Sequence, residues 1–142
     1  KIDISRHTLA VACPEGGTTL EIALNVWDFG GQEIYHATHQ FFLTRRSLYL
    51  LVLDARLDED QNNLHYWFQV IRSFGGDSPV LVVINKSDLL PYVEFDMDKF
   101  LYYLDQVHPG VASLQVSART GEGVDQLQAW LAALPKRVAA AA

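Results

Sequence analysis

The sequence predicts an α/β domain built on a largely parallel sheet. Two continuous apolar runs, residues 47–53 (SLYLLVL) and 80–84 (VLVVI), read as strands. Amphipathic helical patterns lie between and after them, and polar turn segments follow the runs directly. Parallel strands need helical crossovers, so this alternation is what such a sheet requires.

The elements follow in order. Residues 2–12 have an extended pattern, 13–18 (CPEGGT) form a turn by composition, and 19–27 (TLEIALNVW) alternate with Leu20, Ile22, Leu24 and Val26 on one face. Two extended runs around one turn make an antiparallel hairpin at the edge of the sheet. Runs 47–53 and 80–84 read as strands covered on both faces. Between them Leu64, Trp67, Phe68 and Ile71 recur at helical spacing, behind the acidic residues Asp58, Glu59 and Asp60 that suit a helix N-terminus. Met97, Phe100, Leu101 and Leu104 mark a second helix, and residues 111–116 a short strand. Val124, Leu127, Leu131 and Leu134 mark a third helix, which Pro135 is expected to stop. One domain then covers residues 1–135, and 136–142 are a linker or an unassigned alanine tail.

Length and charge narrow the function. The 142 residues suit one domain, and 49% hydrophobic with 20% charged residues is an ordinary globular balance. With 11 Lys+Arg against 17 Asp+Glu the net charge is −6, which argues against a nucleic-acid backbone as the main partner. No apolar run reaches the roughly 20 residues of a membrane span, and no charged-then-apolar leader opens the chain. The single cysteine, Cys13, excludes an internal disulfide and a cysteine zinc cage. The expected setting is cytoplasmic.

Three motifs sit at strand ends, where open α/β sheets bind ligands. Asp28-Phe29-Gly30-Gly31-Gln32 follows the strand ending in Trp27. A carboxylate there suits Mg²⁺ held through water, a glycine lets a backbone N–H approach a phosphate oxygen, and a glutamine orients an attacking water. A plain glycine turn accounts for these residues equally well. Asn85-Lys86-Ser87-Asp88 follows the 80–84 run. One carboxylate accepts two parallel N–H bonds from guanine, at N1 and the exocyclic amine; adenine offers an acceptor at N1 and no amine there. Asp88 therefore favours guanine and repels adenine. Asn85 suits the N7 side of the base and a tie between loops, and the aliphatic stem of Lys86 suits the base plane. The competing reading of Asp88 is a helix cap. Ser117-Ala118-Arg119 follows the last strand, where the Ala118 N–H suits guanine O6. The two longer motifs in order at strand ends, then the third, arise by chance on the order of once in a thousand chains.

These motifs resemble the third, fourth and fifth nucleotide-binding motifs of Ras-like GTPases. The wider stretch WDFGGQEIYH–ATHQFFLT–RSLY resembles the Roc domain of Roco proteins, and the likeness covers residues 1–135. It implies a Ras-like G domain with a mixed, mostly parallel sheet and helices on both faces. It implies GTP and GDP as ligands, Mg²⁺ as cofactor at Asp28, and GTP hydrolysis as the reaction. Gln32 and Gly31 would be catalytic; Asp28, Gly31, Asn85, Lys86, Asp88, Ser117, Ala118 and Arg119 would bind nucleotide. The segment from Phe29 to about Thr44 would be a switch. The implied partners are a COR domain, leucine-rich repeats and a second copy in a homodimer.

The sequence departs from the family in one respect. It contains no G-x-x-x-x-G-K-[ST], the loop that holds the β- and γ-phosphates. The family pattern places that loop, the first strand and the first helix before Lys1, with the strand between the 19–27 and 47–53 strands. Without it two strand edges lose their partners, so the 142 residues are not expected to fold independently. A non-catalytic G domain serving as a dimerisation or scaffold module is the alternative function, and an ATPase on a similar sheet is a third, which Asp88 disfavours. His36 and His39 lack an apparent third metal ligand. Arg45 and Arg46 read as surface residues, Phe41, Phe42, Tyr49, Trp67 and Trp130 as core or interface residues, and His65 and His108 as structural.

Overall fold

The structure, a computed structural model, describes residues 2–12, 17, 19–29, 47–57 and 62–141. The chain divides into two compact units, Lys1–Phe42 with Gln128–Ala142, and Leu43–Leu127. Most of the hairpin turn, and the acidic residues Asp58, Glu59 and Asp60, lie outside the described residues.

In the first unit β1 (Ile2–Ala12) and β2 (Thr19–Phe29) pair antiparallel, from Ile2 opposite Phe29 to Ala12 opposite Thr19. The hairpin is the one read from the alternating pattern. It extends to Phe29, so Asp28 is still strand and stands opposite Asp3.

In the second unit β3 (Tyr49–Asp54), β4 (Val80–Asn85) and β5 (Ala112–Gln115) form a parallel sheet in the order β3-β4-β5. Helix α1 (Leu64–Gly75) joins β3 to β4, and α2 (Met97–Val107) joins β4 to β5. Asp96 caps α2, its carboxylate accepting the Lys99 N–H at 3.0 Å. One core gathers alternate residues of the strands, Leu51 and Leu53 with Val82 and Ile84. It adds Leu64 and Phe68 of α1 and Phe100 and Leu104 of α2. Period two on the strands and period 3.6 on the helices thus converge on one sheet face. Each of these side chains contributes about 1.5–3 kcal/mol by leaving water.

Strand β4 is buried on both faces, as its apolar run predicts: Leu81, Val82, Val83 and Ile84 are all buried. Strand β3 is not. Its Leu50 and Val52 are 44% and 60% exposed, because the helix residues of the core cluster lie on the Leu51–Leu53 face. Among the described residues β3 pairs only with β4, and the hairpin forms a separate sheet. Leu101, assigned to the apolar face of α2 by spacing, is 38% exposed.

Helix α3 (Val124–Ala141) begins in the second unit and continues through Pro135, where the sequence predicts a stop. Proline disfavours a helix interior without forbidding it, and the alanines that follow are the strongest helix formers. The segment 136–142 is therefore mostly helix. Among the described residues no helix is long and apolar enough to cross a membrane.

Candidate functional site

The C-terminal ends of β3, β4 and β5 converge on one cleft. Strand register places Asp54 opposite Asn85 and Ile84 opposite Gln115, so the segments after all three strands emerge side by side. Pairing continues past the assigned strand ends: the Val116 N–H donates to the Ile84 carbonyl at 2.9 Å, and the Ser87 N–H to the Val116 carbonyl at 3.0 Å. The Asn-Lys-Ser-Asp and Ser-Ala-Arg motifs are thereby stapled together.

Asn85 makes the tie expected of it. Its Oδ1 accepts the Lys86 N–H at 2.8 Å and the Ala118 N–H at 3.3 Å. The second bond engages the Ala118 N–H, the donor expected at guanine O6. A carbonyl oxygen has two acceptor positions and Asn85 uses both here, so a base at O6 must share or take over that donor.

Lys86 stands in the left-handed region, φ 64° and ψ 35°. A side chain there costs on the order of 1–3 kcal/mol and marks a site held by its surroundings. The Leu89 N–H donates to its carbonyl at 2.9 Å, and its ammonium reaches Asp54 Oδ2 at 2.6 Å. Asp54 also accepts from Arg56, at 3.0 Å from Nε to Oδ1 and 2.7 Å from Nη2 to Oδ2. The Arg56 guanidinium, with the Lys86 ammonium after it, holds the Asp54 carboxyl well below the usual range against the opposing effect of burial, and Asp54 raises Arg56 in turn. Asn62 fixes this turn, its Oδ1 accepting the Asp54 N–H at 3.2 Å and its Nδ2 donating to the Leu57 carbonyl at 3.1 Å.

Asp88 is the centre of the cleft. It lies in the 3₁₀ segment Ser87–Tyr92, and its side chain does not serve as a cap. Its Oδ1 accepts from the Ser117 hydroxyl at 2.6 Å, its Oδ2 accepts from Arg119 Nε at 2.9 Å, and Arg119 Nη2 stands in ion-pair contact with the same oxygen at 2.7 Å. The side chain retains 11% of its exposure. The Ser117 hydroxyl first, then Arg119, hold its carboxyl below the ordinary value. Ser117 is fully buried, and its Oγ also accepts the Thr120 N–H at 3.2 Å, which aims the hydroxyl proton at Asp88.

The Ser117 loop closes on Gly121-Glu122-Gly123. The Ser117 N–H donates to the Glu122 carbonyl at 2.9 Å, and the Gly121 N–H to the Ser117 carbonyl at 2.8 Å. The Glu122 carboxylate accepts from the Ser87 hydroxyl at 3.3 Å, a second tie between the two motifs. The resulting cleft of about 440 Å³ is lined by Arg56, Asn85, Lys86, Asp88, Leu89 and the Ser117–Arg119 segment. Its size suits a small ligand.

Of the site residues read from sequence, Asn85, Lys86, Asp88, Ser117, Ala118 and Arg119 meet in this cleft. Asp28 stands in the first unit at the end of β2. Gly31 and Gln32 lie outside the described residues, as do Cys13, His36, His39, Phe41, Phe42, Arg45 and Arg46. Among the described residues no group of three or more His, Cys, Asp or Glu is placed to hold a metal. Asp54, Arg56 and Glu122 were not singled out by sequence. Asp54 and Arg56 follow a strand end as Asn85 does, and that position is the signal that marks them.

A family model described as "Ras of Complex, Roc, domain of DAPkinase" matches residues 2–88. The chain belongs to the Roc family. This Roc domain is 33% identical over 121 residues to the probable serine/threonine-protein kinase roco5 of Dictyostelium discoideum, covering 81% of the chain and 4% of that kinase. It is 34% identical over 99 residues to the Roc-COR-CHAT protease of Runella zeae, covering 62% of the chain and 11% of the protease. Its fold matches the Methanosarcina barkeri Roco2 RocCORdC structure, which is bound to GDP. The TM-score is 0.65 at 43% identity, over 92% of this chain and 36% of that one. The fold is therefore that of a Ras-like G domain, and the chain spans only a small part of the relatives it matches.

Proposed function

We propose that this Roc domain selects guanine nucleotides at Asp88 and that the full-length protein hydrolyses GTP as a conformational switch. The observation that carries this reading is the Asp88 carboxylate, oriented by the buried Ser117 hydroxyl at 2.6 Å and facing a cleft at the strand ends. A carboxylate so held is complementary to the N1–H and amine of guanine and opposed to the acceptor edge of adenine. The GDP bound to the Roco2 relative supports the same ligand class.

In this reading Asn85 fixes the loop and meets the N7 side, Lys86 lies along the base, and Ala118 and Arg119 complete the pocket. Asp54 is a positioning residue that holds the Lys86 ammonium. Asp28 would hold Mg²⁺, a hard carboxylate at a strand end suiting a hard cation. The chemistry it would supply there is charge neutralisation of the phosphates. The Gly31 N–H meets the γ-phosphate, and Gln32 orients the water that attacks in line, giving GDP and phosphate. The loop for the β- and γ-phosphates is a requirement of this reaction, and no such motif occurs in these 142 residues. Residues 29–44 respond to the γ-phosphate as a switch read by a COR domain. Leucine-rich repeats, a homodimer and a cytoplasmic location belong to the same reading by resemblance.

Gln32→Leu tests the chemistry. Single-turnover GTP hydrolysis by the full-length protein should fall at least about tenfold, with GDP affinity within about twofold of the parent. An unchanged rate assigns the water to another residue.

The charge state makes a second prediction. Asp88 is ionised below the ordinary carboxylate value of about 3.9. Its contribution is present above that value and lost only as pH falls through the lower folded value. GDP preference over ADP should thus be flat between about pH 5 and 8. A titration midpoint inside that window contradicts an ionised Asp88 as the selector.

A further inference from the structure

We propose that Arg56 sets the charge of the cleft: by taking up the Asp54 carboxylate it leaves the Lys86 charge uncommitted, so that the site draws the phosphates of the nucleotide. The inference deepens the reading of Asp88 as the guanine selector and rests on it for where the base sits.

The charges of the cleft pair unequally. In a chain of net charge −6, the cleft is lined by three cations, Arg56, Lys86 and Arg119, and one anion, Asp88. Arg119 answers Asp88, its Nη2 standing 2.7 Å from Oδ2. Asp54 answers both of the others: Arg56 Nη2 lies 2.7 Å and Lys86 Nζ 2.6 Å from its Oδ2. One carboxylate cancels one charge, so one positive charge is left over at the ends of β3 and β4. Without Arg56, Asp54 and Lys86 would close into a neutral pair.

The sharing of Asp54 favours Arg56. The Arg56 backbone N–H and Nε each donate to Oδ1 at 3.0 Å, and Nη2 donates to Oδ2. Lys86 gives Asp54 a single hydrogen bond. An ammonium has three donors, so two remain for water or a ligand among the described residues. Two cations on one oxygen repel each other, a cost that an incoming anion relieves. Arg56 first holds the Asp54 carboxyl well below the usual range, so Asp54 is ionised and this count applies at neutral pH.

The position suits a nucleotide. Ser117 ties Asp88 to the β5 side of the cleft, whereas Asp54 ends β3, Arg56 follows it, and Lys86 follows β4 between them. Neighbouring strands lie about 4.8 Å apart, so phosphates attached to a base at Asp88 come within reach of the surplus charge. A concave site of one sign raises the local concentration of ligands of the other.

Equilibrium binding of GDP to the full-length, nucleotide-free protein at about 0.01 M and about 1 M KCl tests this, because charges act over about 30 Å in the first and about 3 Å in the second. Arg56→Gln keeps an amide donor for Asp54 and loses the charge. Arg56→Lys keeps the charge and loses the planar fork. At low salt Arg56→Gln should bind GDP about three- to tenfold more weakly than the parent, the pull of one unit charge on a diphosphate at about 10 Å in water. Arg56→Lys should stay within about twofold of the parent, and at high salt all three should agree to within about twofold. The preference for GDP over IDP, which reads the base at Asp88, should be the same in all three. Undiminished binding by Arg56→Gln at low salt, an equal loss in Arg56→Lys, or a loss that survives high salt overturns the proposal. If Asp88→Asn leaves the preference for GDP over IDP intact, the underlying reading of Asp88 fails instead.

Discussion

Asp88→Asn should lower the preference of the full-length protein for GDP over IDP by roughly 10- to 100-fold. Inosine lacks the exocyclic amine of guanine and keeps N1–H. The parent carboxylate accepts both guanine donors and only one from inosine, so the difference between the ligands measures the second bond. An amide keeps one oxygen acceptor and turns an N–H₂ group toward the base, where it opposes a donor. The Ser117 hydroxyl, 2.6 Å from Oδ1, still has the amide oxygen to donate to, so the loop should hold its shape. Competition binding against a fluorescent GDP reads the ratio directly. An unchanged ratio removes Asp88 from base recognition.

Gly123→Ala should destabilise the fold by about 2–4 kcal/mol. Gly123 has φ 73°, and a Cβ there would stand 2.1 Å from the Gln115 carbonyl oxygen and 3.3 Å from Val116 Cα. Both atoms are backbone at the end of β5, so neither can rotate away. The adjacent Glu122 carbonyl accepts the Ser117 N–H at 2.9 Å, and a shift of this turn would misplace the hydroxyl that aims Asp88. Loss of GDP binding should therefore accompany the loss of stability. Gly110→Ala is the control: its φ is also 73°, but nothing lies within 4 Å of an added Cβ. It carries the backbone strain alone, about 1 kcal/mol. Equal denaturation midpoints for the two variants would show that the Gln115 contact is not what requires glycine.

The parts of the site that were legible in the sequence share one property. Asn85 and Ser117 follow short strands whose apolar character is plain, and the end of a parallel strand is where ligands bind. Asp54 and Arg56 occupy the same level of the sheet, yet Asp-Ala-Arg has no distinctive chemistry until Lys86 is brought to it, 2.6 Å away in space and far along the chain. Glu122 reads as a turn residue, and only the fold sets it against Ser87. The left-handed backbone of Lys86 has no sequence signature, because lysine is not a residue that favours it. The apolar run of β3 suggested two covered faces, whereas Val52 is 60% exposed: an apolar run records what a residue prefers, and the helices decide which face is covered. Pro135 illustrates the converse, a local rule outweighed by the helix-forming residues around it.

The central claim is that this cleft distinguishes purines by their donors. Equilibrium titration of the full-length, nucleotide-free protein with GDP, IDP and ADP under one set of conditions tests it most directly. The account predicts the order GDP, then IDP at least about tenfold weaker, then ADP on the order of 100-fold weaker or more, since each step removes a donor or adds an opposed acceptor facing Asp88. Equal affinity for GDP and ADP, or retention of neither, would contradict it.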